Sequence, residues 1–193
     1  KSLLLSSSLG KIVSKASRLR GGHGSALPGL VVAKVSPHFL RDTLTNLPYG
    51  VVVISGTNGK TTTTFLIQKM LYEAGYKAAM LSTAAYGVGN DIKPQIEHMT
   101  TAQAGILLSR LRDFKRQGVE WVVLETSSHS LAQHRTWGIP YEIAVMTNVT
   151  NDHLDYHGTF ENYLEAKRRL FKIAAKNGRQ FGIANADDPN GEK

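Results

Sequence analysis

The 193-residue sequence predicts an α/β fold, with a mostly parallel sheet and flanking helices. Five short apolar runs are typical of strands that are buried on both faces. Patterns of helical spacing lie between several of these runs, and strands that alternate with helices indicate β–α–β units. A glycine-rich loop also joins the first apolar run directly to the first helical pattern, which is the connection expected in such a fold.

The first 48 residues predict a short, basic, helical lead-in. Apolar residues recur at helical spacing over residues 9–20, and a second short helix is predicted over residues 38–46. The lead-in contains seven basic side chains and one acidic side chain, whereas the rest of the chain contains 16 basic and 14 acidic side chains. The net charge of +8 therefore belongs mostly to the lead-in.

Residues 49–193 predict one α/β domain. The predicted strands are residues 51–54, 78–81, 121–124, 143–146 and 181–184, and the predicted helices are residues 61–74, 102–117 and 160–175. The last residues complete neither a helix nor a strand, so we expect a domain that is incomplete at its C-terminus.

Composition excludes several classes of protein. The chain has no cysteine, which excludes a disulfide scaffold, a zinc ribbon and a cysteine nucleophile. The apolar run Leu3–Leu5 is too short to span a membrane, and the N-terminus lacks the pattern of a signal peptide. We therefore expect a cytoplasmic protein.

The segment Gly56–Thr62, with the sequence G-T-N-G-K-T-T, predicts a phosphate-binding loop. Glycines let the backbone approach a phosphate, and the N-terminus of the following helix supplies N–H groups. Lys60 is placed to reach the β- and γ-phosphates, and Thr61 is placed to offer its hydroxyl to Mg²⁺. An ordinary glycine-containing turn is the alternative, but the strand before the loop and the helix after it favour the phosphate loop.

Two strand ends carry side chains that suit Mg²⁺. Glu125 ends one buried strand, and a segment rich in Asn, Asp and His, which includes His153, follows the next strand. The carboxyl ends of parallel strands share one edge with the phosphate loop, so Glu125 and His153 are expected to converge on it. Taken singly, each side chain is more often an ordinary capping or hydrogen-bonded group.

Several separated motifs together resemble the Mur ligases, and within them the UDP-N-acetylmuramyl-tripeptide synthetase branch. They are Gly56–Thr62, Glu125–His129, Gln133–Arg135 and Thr147–Gly158. The resemblance runs from about residue 51 to residue 188 and covers the P-loop central domain of the family. It implies an enzyme, an ATP-dependent acid–amino acid ligase of peptidoglycan synthesis, with ATP and Mg²⁺ as cofactors. A UDP-MurNAc-peptide and an amino acid would be its substrates, joined through an acyl phosphate.

The resemblance also assigns roles to individual residues. Lys60, Lys167, Glu125 and His153 would be catalytic, with Lys167 the lysine that this family carbamylates, and Thr61, Glu125 and His153 would hold Mg²⁺. The ATP-binding set would be Gly56, Thr57, Asn58, Gly59, Lys60, Thr61, Thr62 and Asn148, and the substrate-binding set Thr100, Thr101, Ser127, Gln133 and Arg135. Without the resemblance, Lys167 would be interpreted as a solvated helix lysine beside Arg168 and Arg169. His129, His134 and His157 belong to the motifs without an assigned role.

The lead-in departs from the family pattern. It does not resemble the family's uridine-binding N-terminal domain, and residues 15–18 and 24–29 look similar to the start of MurT, a lipid II amidating subunit. MurT-like proteins carry a cysteine-rich insertion that this chain lacks. Two alternatives for the substrate therefore stay open, a UDP-linked one and a lipid-linked one. The C-terminal domain that binds the amino acid is not in this sequence, so we expect the chain alone to bind nucleotide weakly and to be inactive in ligation.

Other functional classes fit less well. A nucleic-acid-binding module would use aromatic residues for stacking, but residues 1–48 contain only Phe39, so no nucleic acid partner is expected. A weak contact of residues 9–20 with an anionic membrane is possible for a basic amphipathic helix. Another P-loop ATPase would leave Glu125 and Lys167 unexplained. The oligomeric state and the identity of the added amino acid stay open.

Overall fold

A computed structural model describes residues 47–96, 99–136, 138–176 and 181–191. The helices predicted over residues 9–20 and 38–46, and almost the whole basic lead-in, lie outside the described residues. Within the described part of the chain, no helix has the length and apolar character needed to cross a membrane.

Seven strands form one mixed sheet. They are β1 (Gly50–Ser55), β2 (Ala78–Leu81), β3 (Ala85–Val88), β4 (Asp91–Pro94), β5 (Trp121–Glu125), β6 (Tyr141–Met146) and β7 (Phe181–Ala184). Their order across the sheet is β4-β3-β2-β5-β1-β6-β7. Five neighbouring strands run parallel, in the order β2, β5, β1, β6 and β7. Strands β3 and β4 form an antiparallel extension beside β2.

Five helices lie between these strands in the part of the chain that the structure describes. They are α1 (Lys60–Glu73), α2 (Ala104–Arg116), α3 (Ser128–Ala132), α4 (Leu154–His157) and α5 (Phe160–Ala174). The five predicted strands and the three predicted longer helices are all confirmed to within about two residues. The prediction of a mostly parallel sheet with flanking helices is therefore correct, and the additions are β3, β4, α3 and α4.

The core lies on both faces of the sheet because the central strands carry apolar side chains at several consecutive positions. Val51 and Val53 of β1 face the larger cluster, which includes side chains of α2 and α5. Val52 and Ile54 face the smaller cluster, where α1 packs. All six residues of β1 are buried, which confirms the prediction from its continuous apolar sequence.

The parallel strands bring three segments to one edge of the sheet. The phosphate loop follows β1, residues 126–136 follow β5, and residues 147–158 follow β6. Because β1 pairs with β5 on one side and with β6 on the other, the loop lies between the other two segments. The edge predicted to hold the candidate site residues is thus the edge where they are found.

Candidate active site

The phosphate loop depends on two glycines. A Cβ on Gly56 would lie 1.9 Å from Oγ1 of Thr147, so any larger residue would push the loop away from the chain after β6. Gly59 has a left-handed φ of +78° and precedes the first residue of α1. Since the first turn of a helix leaves its N–H groups without partners inside the helix, this turn directs free donors into the loop.

Lys60 lies back over its own loop. Its Nζ donates a hydrogen bond to the carbonyl oxygen of Thr57 at 2.8 Å. Burial lowers the pKa of Lys60, and the nearby Glu125 and Asp152 carboxylates oppose that shift. The hydrogen bond holds the Lys60 Nζ above the loop backbone, where a phosphate group would need a donor.

Asn148 supports the phosphate loop from the neighbouring strand end. Its Oδ1 accepts the backbone N–H groups of Thr57 at 3.2 Å and Asn58 at 2.8 Å, and its Nδ2 donates to the carbonyl oxygen of Asn58 at 3.2 Å. The structure thus places Asn148 beside the phosphate loop, with its amide bound to the loop backbone. Two of the loop's own donors are consequently already engaged.

Glu125 is a buried carboxylate with neutral partners. It is 1% exposed, and its oxygens accept hydrogen bonds from Oγ1 of Thr61 at 3.1 Å. Thr83, which the sequence analysis did not identify, donates through its N–H at 2.8 Å and its hydroxyl at 3.0 Å. Thr83 directly follows β2, so its position at the carboxyl end of a parallel strand could have indicated that it lies at this edge of the sheet. Glu125 thus joins the loop to a second strand end.

Lys167 is buried in α5, with 1% of its surface exposed. The interpretation as a solvated helix lysine is therefore excluded, although Arg168 and Arg169 beside it are less deeply buried. Its Nζ lies 4.8 Å from the centre of the Tyr163 ring. Burial, together with the positive charge of Lys60, lowers the pKa of Lys167 to about 7, and Asp152 opposes the shift. A large fraction of this amine is consequently neutral near physiological pH.

His153 lies in a cluster of rings rather than in direct contact with Glu125. Its Nε2 lies 3.4 Å from Oδ2 of Asp152, and its ring centre lies 4.7 Å from that of His129. His157 also contacts His129, and its Nε2 lies 3.0 Å from Oγ of Ser128. Among the described residues, no group of three or more His, Asp or Glu side chains could hold a metal by itself.

Four of the five predicted substrate-binding residues form one network. Arg135 donates from Nε to Oε1 of Gln133 at 2.8 Å and from Nη1 to the carbonyl oxygen of Thr101 at 3.2 Å. The Thr101 hydroxyl accepts the N–H of Ser127 at 3.2 Å. Both acceptors of Arg135 are neutral, and burial lowers the pKa of its guanidinium. Thr100, the fifth residue, is half-buried beside this network.

A polar cleft of about 440 Å³ opens next to the loop. Asn148–Asn151 line one side, and Asn185 with Asp187–Asn190 line the other. Asp188 ties the two sides together because its carboxylate accepts the N–H groups of Val149 and Asn190. No sequence motif marks this cleft, because its two sides are far apart in the chain.

Comparison with known proteins identifies the family. The family model described as the Mur ligase middle domain matches residues 54–193. This chain belongs to the Mur ligase family. The resemblance drawn from the sequence motifs is thus confirmed.

Named relatives within the Mur ligase family are similar to this chain at substantial identity. The UDP-N-acetylmuramoyl-L-alanyl-D-glutamate–2,6-diaminopimelate ligase of Clostridium botulinum is 43% identical over 143 residues, which are 74% of this chain and 28% of that protein. The ligase of the same name from Geobacter metallireducens is 39% identical over 168 residues, 85% of this chain and 32% of that protein. The chain therefore spans about a third or less of the length of these relatives.

Solved Mur ligase structures share the fold. A structure of a UDP-N-acetylmuramoyl-L-alanyl-D-glutamate–2,6-diaminopimelate ligase matches with a TM-score of 0.67 and 34% identity, over 83% of this chain and 31% of that chain. The MurF ligase of Thermotoga maritima in complex with ADP matches with a TM-score of 0.59 and 28% identity, over 82% of this chain and 33% of that chain.

Proposed function

We propose that this chain supplies the ATP-binding part of a ligase that joins an amino acid to a UDP-N-acetylmuramoyl peptide in cytoplasmic peptidoglycan precursor synthesis. The observation that carries the proposal is a buried lysine, Lys167, whose Nζ lies over the ring of Tyr163, while the Tyr163 hydroxyl lies 3.0 Å from the Thr57 hydroxyl of the phosphate loop, in a chain of the Mur ligase family. A simple phosphate-binding turn has no use for a second, buried lysine of this kind. Relatives named as UDP-linked ligases favour this reading over a lipid-linked substrate.

The reaction has two steps that balance without a redox partner. A carboxylate oxygen of the substrate peptide attacks the γ-phosphorus of ATP, which gives an acyl phosphate and ADP. The amino group of the incoming amino acid then attacks the acyl carbon, phosphate leaves with the bonding electron pair, and the ammonium proton is lost to solvent. The product is an amide. The names of the relatives make 2,6-diaminopimelate the proposed amino acid and the L-alanyl-D-glutamate compound the proposed acceptor.

The phosphate loop would bind the triphosphate of ATP. The N–H groups at the start of α1 and the Nζ of Lys60 supply donors and positive charge for the β- and γ-phosphates. Lys60 would exchange its hydrogen bond with the Thr57 carbonyl for a bond to phosphate. Once ATP is bound, these donors would stabilise the charge that builds up on the phosphoryl oxygens during transfer.

The residues at this edge fit Mg²⁺. Glu125 offers a buried carboxylate whose hydrogen-bond donors are all neutral, so no cation of the protein already pairs with it by hydrogen bonding. Thr61 would add its hydroxyl, and His153 would add an imidazole nitrogen. Because these side chains are few, oxygens of ATP and water would complete the shell, as is usual for Mg²⁺. When bound, Mg²⁺ would neutralise charge on the transferring phosphoryl group.

Lys167 is suited to carbamylation. A neutral amine adds CO₂ and releases a proton, and the buried Lys167 has a pKa of about 7 that keeps much of it neutral. The product is an anion in place of a cation. A carbamate at Lys167 would therefore place negative charge beside Lys60 and would provide oxygen atoms toward the metal.

Two further surfaces would bind the rest of the substrates. Arg135, whose partners in the protein are neutral oxygens, would pair with a phosphate or carboxylate of the UDP-linked substrate. Thr100, Thr101, Ser127 and Gln133 would line that side. The polar cleft beside Asn148 would take the nucleoside of ATP, since its amide groups can donate and accept hydrogen bonds next to the loop.

Phosphate release tests the proposed function. The protein made from the complete reading frame that encodes this chain would be supplied with Mg-ATP, the UDP-linked L-alanyl-D-glutamate compound and 2,6-diaminopimelate. We expect phosphate release that requires all three and that falls strongly in Glu125→Gln. Phosphate release at the same rate without the amino acid and without the UDP-linked compound would refute the assignment as a ligase.

A further inference from the structure

Thr57 connects three parts of the site through its polar atoms. Its carbonyl oxygen accepts from Nζ of Lys60 at 2.8 Å, and its N–H donates to Asn148. Its hydroxyl lies 3.0 Å from the hydroxyl of Tyr163 and also accepts the N–H of Thr150 at 3.0 Å. The loop is therefore held on its α5 side by a hydrogen bond to the Tyr163 side chain.

Tyr163 contacts Lys167 with the rest of its side chain. Its ring lies 4.8 Å from the Lys167 Nζ, and the residue is 1% exposed. The two residues lie four positions apart in α5, so they project from the same face of the helix. One rigid side chain thus contacts both the loop that carries Lys60 and the buried lysine.

We propose that Tyr163 is a positioning residue that fixes the phosphate loop relative to Lys167, with its hydroxyl on Thr57 and its ring against the lysine. This inference rests on the proposed function, because it concerns the same ATP site. It goes beyond the proposed function because it assigns a role to Tyr163, which would otherwise be interpreted as a residue of the hydrophobic core. A core role alone would be met by any hydrogen-bond partner for the hydroxyl, whereas here the partner is a residue of the phosphate loop.

Three substitutions separate the hydroxyl from the ring. Tyr163→Phe keeps the ring and removes the bond to Thr57. Thr57→Val removes the same bond from the other side, together with the bonds of the Thr57 hydroxyl to the backbone of Thr150. Loss of one hydrogen bond of this kind should weaken Mg-ATP binding, measured by calorimetry, by about 2- to 10-fold. In the Thr57→Val background, Tyr163→Phe should have no further effect, because the bond is already gone. Tyr163→Leu should in addition abolish the ring-current shift of the Lys167 ε-protons in NMR spectra.

Tyr141→Phe is the matched control. The Tyr141 hydroxyl bonds to Oγ1 of Thr136 at 2.5 Å, and Tyr141 is fully buried in β6. This substitution removes another buried Tyr–Thr hydrogen bond outside the loop. It should lower the thermal midpoint by a similar amount to Tyr163→Phe, while the affinity for Mg-ATP stays at the wild-type value.

NMR resonances of the loop amides test the role of Tyr163 without any bound nucleotide. In the 193-residue chain without ATP, Tyr163→Phe should shift the amide resonances of Thr57, Asn58 and Thr150, and Tyr141→Phe should leave them in place. If the wild-type chain binds no Mg-ATP, the proposed function fails, and these resonances still decide the role of Tyr163. If Tyr163→Phe leaves both the resonances and the Mg-ATP affinity unchanged, the positioning role is overturned while the proposed function stands.

Discussion

Oδ1 of Asn148 accepts the backbone N–H of Asn58 at 2.8 Å, and so joins the phosphate loop to a strand end 90 residues further along the chain. The same oxygen accepts the N–H of Thr57. The shape of the loop therefore depends on a side chain outside the loop sequence. This relationship explains how a loop of only six residues, G-x-x-G-K-T, can be held open for a phosphate.

Removal of the Asn148 amide should loosen the loop. In Asn148→Ala the N–H of Asn58 loses its acceptor and the N–H of Thr57 keeps only the backbone carbonyl oxygen of residue 148, so we expect Mg-ATP affinity to fall about tenfold. Asn90→Ala is the control, because the Asn90 amide bonds to the Tyr72 hydroxyl on the surface. Titration calorimetry on both variants measures the effect. Equal affinities of Asn148→Ala and Asn90→Ala would show that the loop holds its shape without this amide.

Burial of Lys167 should make stability depend on pH. Its pKa is about 7 in the folded protein and near 10.5 when the chain unfolds, so the unfolded state binds the extra proton between these values. Its burial therefore costs most below pH 7, and the cost disappears as the pH rises toward 10.5. In CO₂-free buffer, Lys167→Met should raise the free energy of unfolding by roughly 2–5 kcal/mol at pH 6 to 7, and by progressively less at higher pH.

Lys172→Met provides the comparison for this pH series. Lys172 lies on the same helix but is exposed and pairs with Glu165. Denaturant unfolding between pH 6 and pH 10 should show a pH-dependent gain for Lys167→Met and none for Lys172→Met. Parallel curves for the two variants would mean that Lys167 is solvated in solution.

The Glu125 carboxylate should govern the response to Mg²⁺. Glu125→Gln keeps an oxygen for Thr61 and Thr83 but removes the charge, so the fold should persist while the stimulation of nucleotide binding by Mg²⁺ falls about 10- to 100-fold. Glu120→Gln is the control at the opposite end of β5, where Glu120 accepts the N–H of Lys77. The measurement is nucleotide affinity across a Mg²⁺ titration. An unchanged Mg²⁺ dependence in Glu125→Gln would remove this residue from the metal site.

Much of the fold could be predicted because its central strands carry continuous apolar runs. Val51–Ile54 is typical of a strand buried on both faces, and the structure buries all of it. By contrast, α3 has five residues and α4 has four, which is too short for a helical period to be recognised. Strands β3 and β4 were missed for a related reason, since β4 is a short, largely exposed edge strand.

The candidate site was predictable where one segment carries the chemistry, and less so where distant segments meet. Gly56–Thr62 and Glu125 could be placed from strand and helix context. The burial of Lys167 was obscured by Arg168 and Arg169, although Tyr163, Ala166 and Leu170 already mark an apolar face of α5 that includes position 167. The contacts of Asn148 with the loop, and of Thr83 with Glu125, arise from the pairing of strands, which sequence spacing does not reveal.

Binding of Mg-ATP at Lys60 is the measurement that tests the central claim most directly. Titration calorimetry with the 193-residue chain should show one site, with affinity about 10- to 100-fold lower in Lys60→Met, because a charged donor to phosphate is lost. Lys69→Met, which removes an exposed lysine of the same helix that pairs with Glu73, should bind as the wild type does. Absence of binding by the wild-type chain, or equal affinity in Lys60→Met, would contradict the assignment of Gly56–Thr62 as the ATP site.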